Sequence, residues 1–96
     1  MAMETECKGF EVIHMELEGE ALISYFLETF EDEYAPYGIY VEKEVDNILV
    51  ETEHTGGFMD DKDVAEEIIM LMIRNRITPC VLNEVVYDYL TERISG

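Results

Sequence analysis

Acidic side chains outnumber basic ones by 10 to one over residues 4–33 and by 10 to two over residues 40–67, and the chain has a net charge of −17. No acidic tail carries that charge, so folded elements must display 23 carboxylates while still burying enough apolar surface to hold together. This rules out most arrangements except elements with one strictly apolar face and one acidic face. The apolar material is sufficient: 48% of the 96 residues are hydrophobic and ten are aromatic, enough for one domain.

The pattern along the chain predicts an α+β fold with element order β-α-β-β-α-α, in which a mainly antiparallel three-stranded sheet packs with three helices. Residues 1–8 are polar and unpatterned and read as a flexible lead-in, which leaves 9–96 as the single acidic domain. Gly9 to Leu17 reads as a strand because Ile13, Met15 and Leu17 alternate with His14 and Glu16. After Gly19, the residues Leu22, Ile23, Phe26, Leu27 and Phe30 recur at three and four positions. That spacing predicts a helix ended by Pro36 and Gly38, with Glu28, Glu31, Asp32 and Glu33 on its other face.

Two β-branched, alternating runs, Ile39 to Lys43 and Ile48 to Glu53, flank Val45-Asp46-Asn47 and predict a hairpin. In that reading Ile39, Val41, Ile48 and Val50 face the core, and Glu42, Glu51 and Glu53 point away with Tyr40 and Leu49. Gly56-Gly57 ends the second strand. Asp60 or Asp61 then caps a helix whose stripe is Val64, Ala65, Ile68, Ile69 and Met72, with Arg74 and Arg76 at its C-terminus. The run Ile68 to Ile73 is apolar all round, which predicts burial on both sides or self-association. Thr78-Pro79 marks the start of a last helix, striped by Leu82, Val85, Val86, Tyr89 and Leu90, that runs to about Ile94.

Composition excludes several function classes. Lysine and arginine form no cluster able to displace phosphate counterions, so direct nucleic-acid binding is not expected. The longest apolar run has six residues, against about 20 for a membrane span. Two cysteines make no disulfide framework and no secretory leader opens the chain, which points to a reducing cytosol.

Asp60, Asp61, Asp63, Glu66 and Glu67 are the densest carboxylate group, but they lack the alternate spacing and the glycine of a calcium loop. Calcium binding is therefore the weakest of the functional alternatives. Cys7, Cys80, His14 and His54 have no paired zinc spacing. Cys80, in the first turn of a helix, has no histidine near it in sequence and lies in a negative field. There is no phosphate-binding glycine loop. No metal, no cofactor and no catalytic residue is expected, and no family motif is present.

The remaining reading is a non-enzymatic inhibitor or regulator that presents carboxylates to the basic surface of a partner protein, including a nucleic-acid-processing enzyme. The residues assigned to that contact are Glu28, Glu31, Asp32, Tyr40, Glu42, Glu44, Asp46, Glu51, Glu53, Asp60, Asp61 and Asp63. Alternate strand residues such as Glu51 and Glu53 lie about 6.6 Å apart, close to two phosphate steps of a nucleic-acid strand. The small acidic anti-restriction and anti-CRISPR proteins of phages are similar in charge and size, though not in any motif. The alternative from another class is an adaptor that homodimerises through Ile68, Met70, Leu71 and Ile73 on the nearly neutral last third of the chain.

Overall fold

A computed structural model describes residues 4–15, 19–31 and 34–95. Four strands come first, β1 (Glu4–Met15), β2 (Gly19–Thr29), β3 (Tyr37–Val45) and β4 (Ile48–His54). They form one antiparallel meander in the order β1-β2-β3-β4. Two helices follow, α1 (Lys62–Arg74) and α2 (Leu82–Ser95), the second led in by a 3-10 turn at Pro79–Val81. Helix α1 lies on β1, β2 and β3, while the 3-10 turn and α2 reach β3 and β4, so both helices cover one face. Among the described residues no helix is long and apolar enough to cross a membrane.

The expected order and the three-strand, three-helix count are therefore corrected to β-β-β-β-α-α. The predicted first helix is strand β2, the central pairing strand, joined to β1 on one side and β3 on the other. Its residues fit both periods: Leu22, Phe26 and Phe30 suit a helical stripe, but Ala21, Ile23, Tyr25 and Leu27 alternate, and all four are buried. A strand between two neighbours and apolar on both faces has no clean period of two, which is why the helical spacing misled. Glu4 to Lys8, expected as lead-in, are the first residues of β1. Of the strand predicted from Gly9, Glu16 and Leu17 lie outside the described residues, as does Asp32 of the predicted contact.

The β3-β4 hairpin forms where predicted. Asp46 and Asn47 both have positive φ, 53° and 65°, the backbone of a two-residue type I′ turn matched to strand twist. Its facing differs from expectation. Glu44 pairs with Leu49 and Lys43 with Glu51, so Val50 is an extra residue in a β-bulge. Beyond the bulge, Glu53 lies opposite fully buried Val41, so Glu51 and Glu53 project to the helix-covered side rather than away from it. Ile39 and Val41 reach the core, but Ile48 and Val50 stay exposed, Ile48 at 65%, because neither helix extends over the hairpin tip.

Both helices keep their predicted stripes. Asp61 caps α1, accepting from the N–H groups of Asp63 at 3.0 Å and Val64 at 3.3 Å. Ala65, Ile68, Ile69 and Met72 of α1 pack with Leu82 and Val86 of α2 against Ile23, Tyr25, Leu27, Ile39 and Val41. Met70 is 53% exposed, so the run Ile68 to Ile73 is not buried all round; Ile68 belongs to the monomer core and Ile73 meets Gly9. A Cβ on Gly9 would stand 2.8 Å from Ile73 Cδ1, so glycine there lets α1 approach β1 closely. The Tyr25 hydroxyl donates to the Ile77 carbonyl at 2.8 Å, tying the central strand to the loop after α1, and burial pushes that hydroxyl up to about 12, with the Glu11 charge adding.

Candidate functional site

The helices cover one face of the sheet and leave the other bare. Register places Cys7, Phe10, Val12 and His14 of β1 on the bare face, beside Phe26, Ser24, Leu22 and Glu20 of β2. Across β2 stand Tyr40, Glu42 and Glu44 of β3, then His54, Thr52 and Leu49 of β4. A bulge between Cys7 and Gly9 shifts the alternation of β1, so that Lys8 turns to the helix side while Cys7, Phe10 and Val12 point outward. Lys8 there holds Glu66 of α1 and also Glu6, at 3.0 Å. The hydrogen bonds to Glu66 and Glu6 raise the Lys8 ammonium above its ordinary range, and the same bond from Lys8 lowers the Glu66 carboxyl.

The bare face divides into an apolar half and a polar half. Phe10 is 64% exposed and Val12 43%, and with half-buried Leu22 and Phe26 they make a continuous apolar patch on β1 and β2. Glu42 and Glu44 follow on β3, with Glu20 and Asp46 at the hairpin end. Among the described strand residues of this face there is no lysine or arginine; its basic groups are His14, 3.5 Å from Glu20, and His54. A shallow depression of about 310 Å³ lies where the halves meet, between Val12 and Leu22 on one side and Glu20, Glu44 and Asp46 on the other.

At the opposite end of β3 the side chains form a closed network. Glu28, only 5% exposed, directs both carboxylate oxygens at His54 Nδ1, at 3.1 and 3.2 Å. Its cross-strand neighbour is Gly38, where any Cβ would stand 2.3 Å from the Gly56 carbonyl oxygen, so glycine there lets the segment after β4 approach β3 closely. A carboxylate only accepts, so Nδ1 carries the hydrogen. The His54 ring stacks on Tyr40 at 4.2 Å, Tyr40 tilts against Phe26 at 5.4 Å, and the Tyr40 hydroxyl donates to Glu42 at 2.7 Å. Burial pushes the Tyr40 hydroxyl up to about 12, and the bond to Glu42 acts in the same direction.

A carboxylate-oriented imidazole is the arrangement of many general bases and metal ligands, but the other groups such chemistry needs are not beside it. Cys7 lies three strands from His54, about 14 Å at ordinary strand spacing. Among the described residues no three histidine, cysteine or acidic side chains are placed to hold a metal ion. The Cys80 N–H, which could have favoured a thiolate, instead donates to Glu51 at 2.9 Å.

The residues predicted for partner contact therefore separate. Tyr40, Glu42, Glu44 and Asp46 come together on or beside the bare face. Glu28 is buried under His54 and is not part of a displayed surface. Glu51 caps the 3-10 turn and Glu53 lies on the helix side, so these two do not continue the row begun by Glu42. Asp60, Asp61 and Asp63 form a separate acidic group at the start of α1, and Glu31 is exposed in a turn after β2. Sequence reasoning missed Phe10, Val12, Leu22 and Phe26 as a surface. The alternation of Phe10, Val12 and His14 was the available signal.

No curated protein and no solved structure matches the chain. The family of unknown function DUF6514 matches residues 4–92, nearly the whole length, and the chain belongs to that family.

Proposed function

We propose that the protein is a non-enzymatic binding module, an inhibitor or regulator that engages the basic surface of a partner protein in the cytosol. One observation carries the reading: a sheet face left bare by the helices, bearing Glu20, Glu42 and Glu44 and, among its described strand residues, no lysine or arginine. Away from this face some carboxylates are used internally, by Lys8 with Glu6 and Glu66 and by Arg76 with Glu11 at 3.7 Å, and on the face itself Glu28 is taken up by His54. The bare face keeps its charge available to a partner, and nucleic-acid-processing enzymes are among the proteins with a surface of the matching sign. Affinity capture with the protein as bait, eluted in a rising salt gradient, tests the reading. Release of a basic protein as salt rises is the expected result. Recovery of only salt-resistant, non-basic partners sinks it.

A second reading is favoured by the helix layer. A groove of about 230 Å³ runs between α1 and α2, lined by Leu71, Ile77, Val85 and Tyr89, and residues 68–96 carry three acids and three bases. A mainly apolar groove whose lining includes the single charge of Asp88 suits self-association better than the acidic face does. Light scattering across a salt series separates the two, since a dimer of this kind persists at high salt.

A further inference from the structure

Which partner chemistry fits the bare face follows from its two halves and the distance between them. Phe10, Val12, Leu22 and Phe26 present apolar side chains over β1 and β2, and Glu42 and Glu44 stand on β3. Two strand spacings separate β1 from β3, about 10 Å. That is the width of an α-helix with its side chains, about 10–12 Å. A helix lying along β1 and β2 would thus press its apolar stripe on Phe10, Val12 and Leu22 while one flank hangs over the β3 carboxylates. The same sheet already binds a helix on its other face, where α1 spans β1 to β3.

We propose that the bare sheet face docks an amphipathic helix of a partner protein, with leucine-like side chains on the β1-β2 patch and lysine or arginine along the flank facing Glu42 and Glu44. The proposal rests on the binding-module reading and deepens it by naming the surface and the partner element. The depression between Leu22, Glu20, Glu44 and Asp46 receives one long basic side chain, its methylenes on Val12 and Leu22 and its charge among the three carboxylates. Charge argues against a second copy in this position. Face-to-face pairing would set Glu20, Glu42 and Glu44 against the same residues of the other chain.

The test uses the full chain, isotope-labelled, titrated with a synthetic helical peptide of leucine and lysine about five turns long, and separately with its leucine-glutamate counterpart. Amide shifts at Phe10, Val12, Leu22, Glu42 and Glu44 on adding the lysine peptide are expected. Phe10→Ser with Val12→Ser, and independently Glu42→Gln with Glu44→Gln, should each weaken binding at least about tenfold, whereas Leu71→Ser in the helix groove should not. The same spectra show whether each variant is folded, and the glutamine pair replaces only polar side chains with polar ones, so it serves if the serine pair unfolds. Shifts confined to α1 and α2, equal binding of the glutamate peptide, or unchanged affinity in the glutamine pair overturn the proposal. The capture experiment separates the two levels. A basic partner retained equally by wild type and the glutamine pair leaves the binding-module reading standing and removes this face, whereas no basic partner at all removes the reading itself.

Discussion

The two faces of this sheet are built from the same four strands and have opposite physical characters. On the covered face Ile23, Tyr25, Leu27, Ile39 and Val41 are buried beneath α1 and α2, and charges at its margin find partners, Lys8 in Glu6 and Glu66 and Glu51 in the Cys80 N–H. On the bare face Phe10 and Val12 stay in water and the carboxylates of Glu42 and Glu44 have no lysine or arginine among the described strand residues of that face, Lys43 between them facing the helix side. Folding stability resides in the first face. Burial of large apolar side chains contributes about 1.5–3 kcal/mol each, whereas half-exposed residues contribute little and remain available for binding. Alternation gives each strand residues for both faces, and the bulges at Lys8 and Val50 reset which residues face which way, because one extra residue reverses the facing of everything beyond it.

The comparison breaks most visibly at Ile69, fully buried on α1. Ile69→Ala should cost about 2–5 kcal/mol in urea unfolding; a cost below about 1 kcal/mol would mean that α1 is not packed on the sheet as described. Next in size is His54→Ala, which leaves the Glu28 carboxylate buried without its partner, at about 1–3 kcal/mol at neutral pH. Adding Glu28→Gln to that variant should recover part of the loss, because an uncharged amide is cheaper to bury. No recovery would show that the bare face contains no closed network.

Tyr25→Phe should cost about 1 kcal/mol through the lost bond to Ile77. It also has a pH signature. Tyr25 and Tyr40 are raised from 10.0 to about 12, so their hydroxyls hold their protons more tightly folded than unfolded. That contribution is fully present below pH 10 and is lost as pH rises towards about 12. Stability measured across this window should fall less steeply in Tyr25→Phe and in Tyr40→Phe than in wild type. Identical slopes would mean that neither hydroxyl is buried.

Glu51→Ala removes the carboxylate that accepts the Cys80 N–H, and roughly 0.5–1 kcal/mol is expected in thermal unfolding. The smallest effect belongs to the bare face: Phe10→Ser and Val12→Ser should each stay within about 0.5 kcal/mol of wild type. A large loss there would place these residues in a core and remove the contrast between the faces.

Several local features, though not the order or number of elements, are legible in the sequence. Asp61 as a cap, the stripes of α1 and α2 and the turn at Asp46-Asn47 appear where the sequence put them, whereas Thr78-Pro79 opens a 3-10 turn without a Thr78 side-chain cap and α2 itself starts at Leu82. These features depend on contacts within a few residues, so a local pattern determines them. Strand β2 was not legible, because its Leu22 and Phe26, with Phe30 just beyond it, satisfy a helical period and only pairing with β1 and β3 makes the extended form win.

The acidic surface divides in the same way. The sequence determined that the chain carries a charge of −17 on folded elements. Only the tertiary structure decided which carboxylates face a partner. A bulge in a strand, the His54 ring against Glu28 and a helix start that needs an acceptor depend on residues far apart in the chain. They bury Glu28, commit Glu51 to Cys80 and leave Glu42 and Glu44 on display. Side-chain facing in a sheet follows from register, and register is a property of paired strands that no single segment encodes.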